Sequence, residues 1–453
     1  MNHDLDMARR LAESVEQAGG RAYYVGGFVR DAVLHRDNKD IDIEIHGLTP
    51  QQLETILDSL GERTVMGASF GVYGLKHYGL DIAMPRSETK NGRGHRDFTI
   101  CVDPFLGTER AARRRDFTIN AMMQDVLTGE IIDHFGGLDD LRNGVIRHVN
   151  DASFAEDPLR VLRAAQFAAR FRFSVAPDTA ALCGQMDLTE LARERIMEEL
   201  CKALLKAEKP SIFFDTLAAM HQLHDWFPEV EALIGVEQEA VHHPEGDVYT
   251  HTMLVLDQAA KLRDSAVYPL GLMLAALCHD FGKPLATKVI DRRIRAFDHE
   301  NLGVPVASRF IARLSAEVRL HKYIANMVKL HMRPNSLFYM KSGKKAYMKL
   351  LDQSIEPGDL LLLAKADHCG RGGHENDYDE IEQTLQSALQ AYRELMDMPA
   401  VRGEDLIKAG MKPGKTMGAA LAYAHKLHLS GAAKDSALAQ TLAYVRELEK
   451  QNP

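Results

Sequence analysis

The sequence predicts an α+β chain, a mixed-sheet head followed by helices. Three observations predict it. Short runs with β character, at 22–25, 41–45, 71–75 and 80–83, crowd the N-terminal part. From about residue 150 strand patterns almost vanish, and helical periodicity dominates to the end. Strands gathered first and helices after suit segregated layers better than an alternating parallel sheet. The expected division is a head at 1–145, a helical neck at 146–235, a helical body at 236–395 and a helical tail at 396–453. The last boundary falls at LMDMPAV, 395–401.

The elements follow in order. Residues 4–18 read as an amphipathic helix that stops at Gly19-Gly20. In YYVGGFVRD, 23–31, a β-run meets Gly26-Gly27 and a short helix follows. Glycines there let backbone amides approach a phosphate, the helix start adds a favourable dipole, and Arg30 can add a charge-assisted contact to a triphosphate. Next comes KDIDIEIHG, 39–47, where Asp40, Asp42 and Glu44 alternate with Ile41, Ile43 and Ile45. Period two is the mark of a half-buried strand, with same-face residues about 6–7 Å apart. This pattern suits a solvated edge strand with gatekeeper charges. It also suits a divalent-metal site for phosphoryl chemistry. Asp81, in GLDIAMPR, is a candidate third acid from a neighbouring strand. The segment PRSETKNGRGHRD, 85–97, carries Arg86, Lys90, Arg93 and Arg96 and reads as a mobile loop. A helix is expected to open near Arg115.

The totals bound the function. A chain of 453 residues, 45% hydrophobic and 26% charged, can build two to four ordinary globular domains. Five dispersed cysteines without CxxC spacing argue against a disulfide framework or zinc ribbon and suit a reducing cytoplasm. The polar N-terminus does not resemble a signal peptide, and no apolar run is long enough to span a membrane. The net charge of −9 does not advertise nucleic-acid binding, although a local basic groove is compatible with it.

The combination GGFVRD then KDIDIE resembles the first motif of the class II tRNA nucleotidyltransferases, the CCA-adding enzymes, and of the related bacterial poly(A) polymerases. RRRDFTINAM, 113–122, resembles their second motif, and EDPLRVLRAAQFAARF, 156–171, their nucleotide-selecting motif. Order and spacing agree over roughly 20–235. The resemblance implies a nucleotidyltransferase palm-type head, with Asp40 and Asp42 as Mg2+ ligands. It implies Gly27, Arg30, Arg115, Arg160 and Arg163 around the incoming nucleotide; Glu44 has no such assignment and reads as a solvated carboxylate or one standing behind the metal ligands, structural only. Physically, Asp157 before Pro158 makes a helix start, and Asp157, Arg160 and Arg163 are neighbours at three-residue spacing. Capping and helical ion pairs would explain them. So would base selection: cytosine and adenine both present an amino donor beside a ring-nitrogen acceptor, which a carboxylate and a guanidinium complement.

Further on, VYTHTMLVLDQA holds His251, ALCHDFGKP holds His279 and Asp280, and LLLAKADHCGRG holds Asp367. That order resembles the ligand set of the HD phosphohydrolases. It implies a second divalent metal, a transition metal such as Ni2+ or Mn2+, or Mg2+. His299 and His331 either complete a second metal position or lie on helix faces, with exposure the simpler expectation for His331. An HD segment on a CCA-adding enzyme resembles the bifunctional bacterial form, which implies action on 2′,3′-cyclic phosphates. The tail, 403–427, resembles that of CCA-adding enzymes, where Lys408, Lys412 and Lys415 would contact tRNA phosphates or merely flank a packing motif. The long basic extension and basic signature of poly(A) polymerases are missing; GASFGVYGL follows Met66 instead. The expectation is a cytoplasmic enzyme acting on tRNA with CTP and ATP, as monomer or homodimer. CC-only or A-only addition, poly(A) synthesis, and an HD phosphohydrolase with an inert head are the rivals.

Overall fold

A computed structural model describes residues 2–65, 72–90, 98–374, 377–398, 400–414 and 416–451. Two compact units emerge: Met1–Ala203 with Ile212–Trp226, and Leu204–Ser211 with Phe227–Pro453.

The first unit is built on a mixed sheet. Its strands are β1 (Arg21–Val25), β2 (Ile41–His46), β3 (Arg63–Val65), β4 (Val72–Leu75) and β5 (Leu80–Ala83). Beyond them, β6 (Arg86–Lys90) and β7 (Phe98–Val102) form a separate antiparallel ribbon, and β8 (Met123–Asp125) and β9 (Ile131–Ile132) return to the sheet. Among the described residues the sheet has seven strands in the order β3-β4-β5-β2-β1-β8-β9, with β2 and β5 parallel. The acidic strand β2 therefore lies inside the sheet, and the edge-strand alternative does not hold. Ile41, Ile43 and Ile45 are each at most 2% exposed, so one face of β2 is core and the acids take the other. The helix Asn2–Gln17 packs on β1 and on the helix Pro50–Leu60. The latter is started by a Thr49–Gln52 capping box with Pro50 in its first turn.

Two local expectations need correction. Arg86–Lys90 is strand rather than loop, because it pairs with Phe98–Val102; Arg93 and Arg96 lie outside the described residues. No α-helix opens near Arg115, only a single 3-10 turn at Thr118–Asn120. The helix Thr108–Arg113 has already ended there, and the Asp116 carboxylate accepts the Phe117 N–H at 2.8 Å, turning the chain into a bridge between Phe117 and His148. The helix Leu159–Phe171 carries the selecting segment, with Leu162, Ala165 and Ala169 fully buried. Pro158 caps it, and Asp157 precedes it with its Oδ1 accepting the Leu159 N–H at 3.2 Å.

Among the described residues the second unit is helical apart from one hairpin, Thr287–Ile290 with Arg293–Ala296. Asp291 and Arg292 both have positive φ there, the geometry of a primed two-residue turn, without the Asn-Gly pair that usually signals it. Five helices surround the histidine-rich centre: Val248–Leu262, Pro269–Cys278, His299–Leu314, Val318–Leu330 and Pro357–Cys369. The C-terminal helices Gly403–Lys408, Met417–Leu429 and Lys434–Gln451 share a small core of Leu406, Met411, Ala420 and Val445. Lys415 lies outside the described residues. Among the described residues no helix is long and apolar enough to cross a membrane.

Candidate functional site

In the first unit, β2 presents Asp42 and Glu44 to a cavity of about 300 Å³ that is also lined by Arg86, Arg114, Arg115 and Arg160. Parallel pairing sets Asp81 beside Asp42. Asp40 sits one residue before the strand, exposed, its N–H held by the Asn38 side chain at 3.0 Å. Burial raises the Asp42 carboxyl above its ordinary range; Arg115 opposes this, and the Asp81 and Asp40 carboxylates add to it. Crowded oxygen donors that repel one another fit a hard divalent cation, which would relieve the repulsion.

Gly26 makes the close approach possible. Its φ is +68°, and a Cβ there would lie 3.1 Å from Arg115 Nη1 and 3.7 Å from Asp42 Oδ2. Glu44 is not solvated: its side chain is 12% exposed, accepts from His46 at 2.8 Å and pairs with Arg115 at 3.4 Å. Burial alone would raise its carboxyl, but these partners hold it below the ordinary value. Glu44 thus aims Arg115.

Gly27 opens the helix Gly27–Val33. Arg30, three residues on, is 3% exposed and does not line the cavity. It is bound by Asp31 at 2.7 Å and by Asn120 at 2.7 Å, with Phe171 stacked 4.7 Å below. In this geometry it braces the glycine turn from beneath. Arg160 reaches the cavity and is anchored by the carbonyls of Ser153 and Arg114 at 2.5 and 2.9 Å. Arg163 instead grips Asp116 at 2.6 Å and approaches Glu199 at 3.6 Å. The second oxygen of Asp157 is taken by Arg195 at 2.7 Å. Arg114, Arg195 and Glu199 went unnoticed in the sequence. Arg114 had the signal of its place in the Arg113–Asp116 run; the other two look like ordinary helical charges.

In the second unit, helices converge to gather imidazoles edge-on around Asp280. His251 Nε2 lies 3.2 Å from Asp367, and His279 Nε2 lies 3.1 Å from Asp280. On the other side of Asp280, His299 Nε2 is 3.3 Å away and His331 Nε2 is 3.9 Å away. Two donor groups result, His251–His279–Asp367 and Asp280–His299–His331, all buried. His331 is 0% exposed, so the expectation of an exposed His331 is corrected. Each ring is oriented from behind. Nδ1–H donates to Ala276 O in His279, to Ala296 O in His299, to Val328 O in His331 and to the Glu245 carboxylate in His251, at 2.7–2.8 Å. That fixes the tautomer and points every Nε2 lone pair inward. Burial and the neighbouring His279 and His299 rings push His331 down to about 3, which keeps it a neutral ligand. His279 Nε2 is buried without a hydrogen bond, as expected of an atom meant for a metal, while Asp280 Oδ2 is ion-paired with Lys283 at 2.7 Å. The nitrogen-rich donor set fits transition-metal ions.

Family models match the two regions that hold Asp42 and Asp280. Residues 22–147 match the poly A polymerase head domain, and residues 248–371 the HD domain. The multifunctional CCA protein of Stenotrophomonas maltophilia (strain K279a) is 38% identical over 417 residues, 86% of this chain and 98% of that protein. That of Mannheimia succiniciproducens is 37% identical over 394 residues, 82% and 90%. Among solved structures, the Bacillus stearothermophilus CCA-adding enzyme in complex with CTP has a TM-score of 0.67 at 20% identity, with both chains fully covered. The Thermotoga maritima CCA-adding enzyme complexed with tRNA has a TM-score of 0.64 at 22% identity, covering 97% of this chain and 95% of that one. The structural matches show the fold, and the close relatives show the lineage: the chain belongs to the multifunctional CCA protein family.

Proposed function

We propose that this enzyme builds or repairs the 3′-terminal CCA of tRNA from CTP and ATP without a nucleic-acid template. The observation that carries the reading is the cavity in which Asp42, flanked by Asp81 and Asp40, faces Arg115 and Arg160. Asp40 and Asp42 would hold Mg2+, with Asp81 as a third acid. Bound there, magnesium would neutralise phosphate charge and make the RNA 3′-hydroxyl a better nucleophile. The protein supplies the rest. Arg115, aimed by Glu44, and the backbone at Gly26-Gly27 receive the triphosphate, while Arg30 braces that turn. Asp157 accepts from the exocyclic amine of cytosine or adenine, and Arg160 donates to the adjacent ring nitrogen. Guanine and uracil would leave those groups unpaired. Arg163 holds the selecting helix in register through Asp116.

In this reading the chain divides by function into a head at 1–145, a neck at 146–235, an HD body at 236–395 and a tail at 396–453. In the body, His251, His279, Asp280 and Asp367 would bind one divalent ion, and His299 with His331 a second that shares Asp280. Ni2+ or Mn2+ suits the imidazoles, with Mg2+ as the hard-ion option. The chemistry is hydrolysis of phosphoesters such as 2′,3′-cyclic phosphates. The enzyme would work in the cytoplasm as monomer or homodimer.

The test is extension of tRNA transcripts ending before CCA, after C and after CC, each given CTP, ATP or both with Mg2+. Completion to CCA followed by a stop is expected. Arrest after CC, addition of A alone, or an unlimited A ladder would identify a different product specificity. Hydrolysis of 2′,3′-cyclic AMP, screened with Ni2+, Mn2+ and Mg2+ and lost in Asp280→Ala, tests the second centre.

A further inference from the structure

The histidine–aspartate cluster faces two cavities. One, of about 220 Å³, is lined by Asp280, Lys283, Arg295 and His299. The other, of about 650 Å³, is lined by Asn335, Phe338, Tyr339 and His368. Asp367 and Arg371 line both. Arg371 therefore stands at the junction, beside a carboxylate of the metal cluster.

Its placement is built in. Gly370 lets the end of helix Pro357–Cys369 press against helix Val248–Leu262, since a Cβ there would lie 2.8 Å from Val255 N. The next glycine, Gly372, donates its N–H to Glu245 Oε2 at 3.1 Å. The other oxygen of Glu245 accepts from His251 Nδ1 at 2.8 Å. One carboxylate thus ties the Arg371 segment to a metal-facing imidazole. The side chain itself is left wanting. Its Nε is buried with no hydrogen-bond partner, and Nη2 is 3.9 Å from Asp367, beyond hydrogen-bond length. The neighbouring cation Lys283 is already engaged, by Asp280 at 2.7 Å and Gln238 at 2.6 Å. A planar guanidinium with N–H groups to spare is shaped for phosphate oxygens.

We propose that Arg371 anchors the phosphate of a nucleoside phosphate ester at the HD cluster, with the nucleoside lying in the larger cavity against Tyr339. This rests on the phosphohydrolase reading of the cluster. In the hydrolysis a water oxygen bonds to phosphorus, one ester P–O bond breaks, and a water proton ends on the departing oxygen. Tyr339 is 57% exposed, an aromatic face available to a base.

The experiment compares full-length wild type, Arg371→Ala, Arg371→Lys and Tyr339→Ala, all loaded with Mn2+. It measures hydrolysis of 2′,3′-cyclic AMP and calorimetric binding of 2′-AMP and inorganic phosphate. Arg371→Ala is expected to raise KM and weaken 2′-AMP and phosphate by about 10- to 100-fold, the range for a lost charge-assisted hydrogen bond. Arg371→Lys should fall between, and Tyr339→Ala should weaken 2′-AMP but not phosphate. Metal content and CTP addition to tRNA should stay at wild-type levels. Unchanged binding in Arg371→Ala overturns the proposal. If wild type hydrolyses nothing but binds 2′-AMP through Arg371, the hydrolase reading falls and the anchor stands. If wild type neither hydrolyses nor binds, both fall.

Discussion

Gly282, two residues after Asp280, is a point where an added methyl group should disable one centre and spare the other. Its Cα presses on the start of the helix His299–Leu314. A Cβ would lie 2.6 Å from Gly303 N and closer still to the His299 carbonyl oxygen, whereas ordinary contact begins at 3.4 Å. Both neighbours are backbone, so no side chain can swing aside; the helix start must retreat by at least about 0.8 Å. His299 rides on that turn, its Nε2 3.3 Å from Asp280. Metal–ligand distances tolerate only about ±0.2 Å, so a displacement of that size dismantles the His299–His331 position. Overpacking should also cost about 1–3 kcal/mol of stability. The assay is Mn2+ titration of Gly282→Ala in an Asp42→Asn background, so that only the HD ions are counted, alongside thermal unfolding and cyclic-AMP hydrolysis. Two tight equivalents should fall to one, with hydrolysis lost. Gly282→Ala alone should keep CCA addition. Two retained ions with wild-type hydrolysis would refute the reasoning.

Three further outcomes are expected. Because the Asp42 carboxyl is raised in the metal-free fold, its ionised form is destabilising above that raised value, and the penalty vanishes below the ordinary carboxylate range. Asp42→Asn should therefore raise the melting temperature in EDTA near neutral pH, while abolishing addition and the stabilisation by Mg2+; a lower melting temperature would contradict the electrostatic account. Arg195→Ala, which releases the Asp157 carboxylate, should raise KM for CTP and ATP by about tenfold and narrow the gap to GTP and UTP. Arg195→Lys should recover part of it, and unchanged selectivity would separate Arg195 from base choice. Burial would raise Asp116, but Arg163, Asn120 and the Phe117 N–H outweigh it and hold the carboxyl low. Its stabilisation is thus complete above the ordinary carboxylate range and lost as pH falls through the depressed value, so Asp116→Asn should flatten the acid limb of the stability curve. A variant as acid-sensitive as wild type would count against this.

Patterns that one element carries alone were legible in the sequence. The alternation of 40–45 announced a strand with an acidic face, and the order of His251, His279, Asp280 and Asp367 announced the second centre. What tertiary pairing decides was not. The interior place of β2 depends on β5 coming alongside from elsewhere in the chain. The strand β6, RSETK, hides in a polar, arginine-rich segment with no apolar alternation to mark it, and pairs with β7 only in the fold. Arg30 looked ready for a phosphate until folding brought Asn120 to it, 90 residues away in sequence. The buried His331 meets His279 and His299, brought to it from elsewhere in the chain, which no window of its own helix records. The Asp157–Arg195 pair likewise spans 38 residues.

The alternation in β2 also constrains how this segment can change over generations. With Ile41, Ile43 and Ile45 sealed in the core and strands on either side, a single-residue insertion or deletion between 40 and 45 would exchange the two faces. Carboxylates would then be driven into the core while isoleucines lined the cavity, losing fold and chemistry together. The segment can drift by substitution, isoleucine to valine for example, but its length is frozen. Tolerance to single-codon insertions should collapse across these six positions and recover in the loops beyond them.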